Sequence, residues 1–295
     1  MRLPDSIDRA LTAAFGSEPT RAWSVGGGMI NESARVEVGG TAYFVKWKPS
    51  APPNLFATEA RGLALLRATD TFRIPQVIAH AEPTGDTPAY LILEWLETPP
   101  NVDQRRYAER FGRALAALHR TTGAAFGLDH DNYIGELPQH NTITYDWAAF
   151  YRDQRILVQM EIARHFGYLP PHREKLLDAV MSRIDRILGE SGNPPSLLHG
   201  DLWMGNFMVA EGSQPALVDP AVYYGDREVE IAFAQMFSGG SGFFLDAYHE
   251  AYPLDAGYEY RRPLLQLYPM LVHLNHFGEA AYGGGVDGIC RRYVG

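Results

Sequence analysis

The chain has a single cysteine, Cys290, in 295 residues. One thiol cannot close an internal disulfide and has no second thiolate for a structural zinc site, so a reducing compartment, the cytoplasm, is expected and Cys290 is given no role. Positive charge is also scarce: 26 lysines and arginines stand against 35 aspartates and glutamates, a formal charge of -9. A surface of that sign repels the phosphate backbone of nucleic acid and an anionic membrane, and neither is expected as a partner. No run approaches the ~20 apolar residues of a membrane span. The charges in Met1-Arg2-Leu3-Pro4-Asp5-Ser6-Ile7-Asp8 stand where a secretory leader needs an apolar stretch. There is no internal repeat, and the one unusual local composition is the glycine cluster Gly283 to Gly285. What is present, 46% hydrophobic and 12% aromatic residues, suffices for one large core or two modest ones joined by a hinge.

Hydrophobic periodicity divides the chain in two. Ile7, Ala10, Leu11 and Ala14 recur at helical spacing, and three short β-favouring pieces follow at Arg21 to Val25, Ser33 to Val38 and Tyr43 to Trp47. Val38-Gly39-Gly40-Thr41 reads as a hairpin turn between the last two. An amphipathic helix is predicted from Asn54 to Arg67 with Asn54 as its cap, and two more strands at Gln76 to Ala81 and Ala89 to Leu96 complete a five-stranded antiparallel sheet. Pro99-Pro100 breaks regular structure, and beyond it the pattern turns helical, with stripes at Tyr107 to Leu118 and Leu176 to Leu188. The predicted class is α+β in two lobes, residues 1–96 and 97–295.

The chemistry is carried by His199-Gly200-Asp201-Leu202-Trp203-Met204-Gly205-Asn206, which fits a kinase catalytic loop of His, any residue, Asp-Leu, three residues, Asn. An aspartate at the acceptor hydroxyl and an asparagine five residues on, turned back to a metal, flank a transferring phosphoryl group. Asp219, thirteen residues beyond Asn206 and at the end of an apolar strand, fits the aspartate that bridges magnesium to nucleotide phosphates. Carboxylates beside a triphosphate need divalent cations between them, so ATP and Mg2+ are the expected cofactors. Lys46, in the strand Tyr43 to Trp47, matches the strand lysine that pairs with the phosphates, and Glu59 on the following helix is its expected ion-pair partner. Gly26-Gly27-Gly28 is either a turn whose bare backbone approaches the phosphates or only a flexible connection. Glu94-Trp95-Leu96 is placed, by analogy, at the adenine base. Trp203 is a platform for a sugar ring or packing for its own loop. Asp226, Arg227 and Glu228 reach the acceptor or cap the next helix.

Several kinase marks are missing: there is no Gly-x-x-x-x-Gly-Lys loop, no Asp-Phe-Gly and no Ala-Pro-Glu. The reduced set resembles the aminoglycoside phosphotransferase and choline kinase superfamily, with its protein-kinase-like fold. The fuller run His199-Gly200-Asp201-Leu202-Trp203-x-Gly205-Asn206, followed by Asp219-Pro220-Ala221-x-Tyr223-Tyr224-Gly225-Asp226-Arg227-Glu228, is similar to the fructosamine kinase (ketosamine 3-kinase) family. So are Gly27-Gly28-Met29-Ile30-Asn31-Glu32, Leu118-His119, Asn132-Tyr133-Ile134-Gly135 leading through Pro138-Gln139-x-Asn141 to Trp147, and Leu267 to Gly278. The resemblance implies transfer of the ATP γ-phosphoryl group to the 3-hydroxyl of a ketosamine, on a small molecule or a glycated lysine of a protein. The unstable product then releases the amine. Bacterial members are held to prefer ribulosamine or erythrulosamine adducts to fructosamine. Two departures stand out. Phe237-Ser238-Gly239-Gly240-Ser241-Gly242 replaces an expected Phe-Gly-Gly-Phe, and the glycine turn lacks the redox cysteine of some relatives, so thiol regulation there is not expected. The rival readings are a kinase of the same superfamily acting on an aminoglycoside, choline-like or methylthioribose-type alcohol, and a nucleotide-binding pseudokinase.

Overall fold

A computed structural model describes residues 1–26, 31–189, 191–237 and 242–294. The chain forms two compact units, residues 1–107 with 205–220, and residues 108–204 with 221–295.

The first unit is built on a five-stranded antiparallel sheet. After helix α1 (Asp5–Phe15) come β1 (Arg21–Ser24), β2 (Glu32–Val38), β3 (Thr41–Lys48), helix α2 (Leu55–Arg67), β4 (Val77–Ala81) and β5 (Ala89–Glu94), in sheet order β1-β2-β3-β5-β4. Gly39 and Gly40 join β2 to β3 with φ of 58° and 81°, the two consecutive left-handed residues that a tight hairpin turn of matching twist requires. Alternation along the strands sorts side chains to two faces. Ala34, Val36, Val38, Val45 and Trp47 pack with Ile7 and Leu11 of α1 and with Leu3 just before it. Lys46, between Val45 and Trp47, therefore points to the opposite face, where α2 lies along β4 and β5.

Asn54 does not cap α2 as expected: it adopts a left-handed conformation (φ 61°) in which its side chain makes no capping hydrogen bond. Its backbone carbonyl instead accepts from the Thr58 hydroxyl.

Residues 205–220 attach to this unit as a hairpin of β9 (Phe207–Ala210) and β10 (Gln214–Leu217). The Arg73 backbone donates to Pro215 O and accepts from Leu217 N at 3.0 and 3.2 Å. Ala210 and Ala216 bury against Leu96.

The second unit is mainly helical. Helix α3 (Gln104–Leu118) spans the division between the units, and the short ribbon β6 (Asn132–Ile134) and β7 (Leu137–Gln139) follows it. Next come α4 (Trp147–Phe150), a π-helical stretch Tyr151–Ile156, α5 (Leu157–His165), α6 (Pro171–Met181) and α7 (Ile184–Leu188). The predicted stripe from Leu176 to Leu188 is thus two helices, parted at Ser182 and Arg183. Strand β8 (Ser196–Leu198) pairs with β11 (Tyr223–Gly225). Helices α8 (Arg227–Phe237), α9 (Gly242–Ala251), α10 (Tyr258–Leu265), α11 (Leu267–Phe277) and α12 (Glu279–Val294) complete the unit.

The glycine cluster Gly283 to Gly285 lies inside α12, which periodicity did not reveal. A Cβ on Gly285 would stand 2.8 Å from Met270 Sδ on α11, so glycine permits a close helix approach that offsets its poor helix propensity. Cys290 is fully buried on the same helix, and burial raises its thiol to about 12. Among the described residues no helix is long and apolar enough to cross a membrane.

Candidate functional site

The open end of the β9–β10 hairpin carries Asn206 just before one strand and Asp219 just past the other, joined by a hydrogen bond from Val218 N to Asn206 O (3.2 Å). Because the hairpin belongs to the first unit, Asp219 meets Lys46. Lys46 Nζ lies 2.8 Å from Asp219 Oδ1 and 2.6 Å from Glu59 Oε2 on α2, with the Phe56 ring centroid 5.7 Å away. The lysine side chain is 4% exposed and Glu59 12%, whereas Asp219 is 46% exposed. Among the described residues the salt bridge is thus most open to solvent on the Asp219 side.

Burial alone would lower the Lys46 ammonium, but the carboxylates of Asp219 and Glu59 outweigh it and push it up. Burial raises the Glu59 carboxyl, Lys46 pulls it back, and the like charge of Asp219 adds to the rise. Its second oxygen, Oε1, is buried without a hydrogen bond. Asp219 itself sits in the left-handed region at φ 53°, which aspartate tolerates better than most residues and which turns the chain sharply after β10. The Asn206 amide donates to Asp219 O at 3.5 Å. One half-exposed carboxylate and one amide oxygen are the hard donors magnesium takes when phosphates complete its shell. Among the described residues no group of three or more His, Cys, Asp or Glu could cage a metal without such phosphates. The residues present therefore fit a metal that arrives with a nucleotide.

In the second unit Asp201 is half-buried in a loop held from beneath by a buried carboxylate. Glu230 of α8 accepts from Gly200 N (2.7 Å) and His199 N (3.1 Å). Its Oε2 lies 3.0 Å from Nε2 of His119, whose Nδ1 meets the Tyr248 hydroxyl at 2.8 Å. Burial alone would raise the Glu230 carboxyl, but these partners hold it down, while burial lowers His119 despite Glu230. Gly200 has φ +86°, and a Cβ there would lie 1.9 Å from Ala221 O, so only glycine fits. The Trp203 amide donates to Asp201 O at 3.1 Å, closing the turn after the aspartate.

The other expected positions are placed as follows. Gly26 is exposed in open space, while Gly27 and Gly28 lie outside the described residues, as do residues 238–241 of the departing segment. Glu94 pairs with Arg73 and accepts from Gln76 N (3.1 Å); Leu96 is buried under the hairpin. The Trp95 ring lies 5.3 Å from the Arg35 guanidinium, and its Nε1 is buried without a hydrogen bond. Trp203 is half-buried. Asp226 and Arg227 are each 1% exposed. Asp226 accepts from Glu228 N (2.9 Å) and Asn193 Nδ2 (3.0 Å), and Arg227 lies 3.8 Å from the Tyr252 ring centroid and donates to Pro253 O at 2.6 Å. Periodicity gave no role to Glu230 or His119. The available signal was an acidic residue on the apolar stripe of α8, flanked by Val229 and Ile231.

A sequence model of the family described as fructosamine kinase matches residues 4–293. A probable ketoamine kinase of Synechocystis sp. is 39% identical over 257 residues, covering 86% of this chain and 84% of its own length. The chloroplastic protein-ribulosamine 3-kinase of Arabidopsis thaliana is 36% identical over 276 residues, covering 91% and 81%. A solved structure from Thermobifida fusca, provisionally described as a fructosamine-3-kinase, is 34% identical and covers 99% of both chains at a TM-score of 0.86. With a match from residue 4 to residue 293, the chain belongs to the fructosamine kinase family.

Proposed function

We propose that the protein transfers the γ-phosphoryl group of ATP to the 3-hydroxyl of a ketosamine, free or on a protein lysine, and so initiates deglycation. The observation that carries this reading is Lys46 held between Glu59 and Asp219, the arrangement an ATP-dependent phosphotransferase uses for nucleotide phosphates. Membership of the family and the ribulosamine 3-kinase relative support the acceptor class.

In this reading Asp201 orients the acceptor hydroxyl and takes its proton as the oxygen bonds to phosphorus and ADP leaves. Lys46, fixed by Glu59, anchors the α- and β-phosphates. Asn206 and Asp219 would hold Mg2+, whose charge, when bound, neutralises the phosphates. Residues 26–28 and the Glu94-Trp95-Leu96 segment serve the nucleotide, and Trp203, Asp226 and Arg227 serve the acceptor side directly or by support. The division of labour is a lobe of residues 1–96 for the nucleotide phosphates and base and a lobe of residues 97–295 that supplies the catalytic loop, the magnesium ligands and the acceptor pocket, although the hairpin bearing Asn206 and Asp219 packs with the first unit. The buried single cysteine suits a reducing, cytoplasmic setting.

The test is ATP consumption with fructosyl-, ribulosyl- and erythrulosyllysine beside an aminoglycoside panel, with the phosphate position read by NMR. Turnover on a ketosamine with phosphate on the third carbon is expected. Turnover confined to an aminoglycoside would overturn the acceptor, and none at all the enzyme.

A further inference from the structure

The segment from Asn132 to Asn141 builds a buried chain of amides behind the catalytic loop. Asn132, Gln139, Asn141 and Tyr268 are each between 1% and 5% exposed, and Arg155 is fully buried. Gln139 is the centre: its Nε2 donates to Ala221 O and to Asn132 Oδ1, each at 2.9 Å, and its Oε1 accepts from the Tyr268 hydroxyl at 2.8 Å. Asn132 Nδ2 in turn donates to Val222 O at 2.8 Å.

The sense of these bonds is imposed from both ends. A guanidinium donates only, so Asn141 must present its oxygen to Arg155 (2.8 Å) and its nitrogen to Asn132 Oδ1 (2.9 Å). Asn132 is then left with only its nitrogen for Val222 O. At the other end the Ala221 carbonyl can only accept, so the Gln139 nitrogen must face it, which leaves Gln139 Oε1 to accept from the Tyr268 hydroxyl. Among the described residues Arg155 has no carboxylate within 4.0 Å; its charge is met by carbonyl and amide oxygens and by the Tyr223 ring, 4.0 Å from the guanidinium. It is the π-helical turn Tyr151–Ile156 that carries this arginine, a widening of the helix often found where a side chain must be re-aimed.

The gripped carbonyl is the one that matters for Asp201. Ala221 N donates to His199 O at 2.9 Å, and Ala221 O presses on Gly200 so closely that no Cβ could be added there. Any displacement of Ala221 is passed to Gly200 and to the next residue, Asp201. Independently, Tyr268 and Asp201 are near enough for the carboxylate to help raise the phenol, after burial and Tyr223 and against Arg155.

We propose that Gln139 is a positioning residue for Asp201, acting through Ala221 and Gly200, with Arg155 and the Ala221 carbonyl fixing which way its amide faces and Tyr268 holding its oxygen. This rests on the reading of Asp201 as the group that meets the acceptor hydroxyl. The experiment is a double-mutant cycle of Gln139→Met, which keeps length and removes the hydrogen bonds, with Asp201→Asn, assayed with radiolabelled ATP and ribulosyllysine. Gln139→Met alone is expected to lower kcat about ten- to a hundredfold with KM for ATP within about twofold, the scale of loss from a misplaced catalytic group. In the Asp201→Asn background the same change should lower residual turnover by less than about twofold, since the group it positions is gone. Equal losses in both backgrounds, or an unchanged kcat in folded Gln139→Met, would overturn the positioning role. Should Gln139→Met fail to fold, Tyr268→Phe removes only the hydroxyl that holds Gln139 by donating to its Oε1; put through the same cycle, it supports the role if its loss disappears in the Asp201→Asn background and overturns it if the loss persists or never occurs. Wild-type turnover by Asp201→Asn alone would instead bring down the underlying site reading.

Discussion

One ammonium is shared by two carboxylates: Lys46 Nζ lies 2.6 Å from Glu59 Oε2 and 2.8 Å from Asp219 Oδ1. Removing the cation strands Glu59 in a nearly closed site, whereas Asp219 keeps access to water. Lys46→Met is therefore expected to destabilise the protein by about 3 kcal/mol, the scale for one partner removed from a buried pair. Lys46→Met combined with Glu59→Leu should recover most of that loss in urea unfolding while leaving ATP binding impaired. A double variant no more stable than the single one would mean that the stranded carboxylate is not the cause.

Asp201 and Asp219 should separate chemistry from metal-dependent binding. Asp201→Asn is expected to leave ATP affinity near normal and to lower turnover by about two to four orders of magnitude, the range for a lost general base. Asp219→Ala should abolish the magnesium dependence of nucleotide binding, checked by titration calorimetry with and without Mg2+. Calorimetric traces that keep their metal dependence in Asp219→Ala would remove that residue from the metal.

Glu230 supports the loop through two backbone amides and one imidazole. Glu230→Gln keeps the shape but has one acceptor oxygen in place of two, so an amide nitrogen must face a donor. A loss of about 1 to 3 kcal/mol is expected for the unsatisfied buried group, with reduced turnover. Denaturation midpoints and kcat measured on the same preparation check both, and a variant as stable and active as the parent would contradict the clamp.

Asp226 offers a pH test. Burial, with Glu228 adding to it, raises its carboxyl from 3.8 to about 6. A folded-state value above the unfolded one means that the native state holds the proton more tightly. The associated stability is complete below pH 3.8 and is lost as pH rises through about 6. Between pH 4 and pH 7 the wild type should thus lose stability relative to Asp226→Asn, by about 3 kcal/mol at most. Urea midpoints of the two proteins across that range measure the difference, and a wild type that gains stability relative to Asp226→Asn as pH rises would refute the sign.

Most of the sheet was readable because its strands are short, β-branched and divided by glycine, and the alternation that put Val45 and Trp47 on one face also turned Lys46 to the other. The helix pairing Lys46 with Glu59 was equally local. Less legible was what depends on partners far away in the chain. Asn54 looks like a cap in sequence and is not one, because its backbone is left-handed. Helix α12 was hidden behind glycines whose use is apparent only with Met270 beside them. Glu230, His119 and Arg155 look like surface charges to any rule based on polarity, and only the folded unit shows that each is enclosed with donors and acceptors supplied from distant segments. Asp226, read as an acceptor contact or a helix cap, does cap α8 through Glu228 N, and with Arg227 it is built into the interior around Asn193 and Tyr252.

The enclosure of Cys290 has a practical corollary. With its sulfur fully covered on α12 and its thiolate strongly disfavoured, the native chain should be almost inert to maleimide and disulfide reagents at neutral pH. A cysteine engineered into either unit would then be the sole reactive handle. Dyes or spin labels could be installed at chosen points while the wild-type sulfur stays in place.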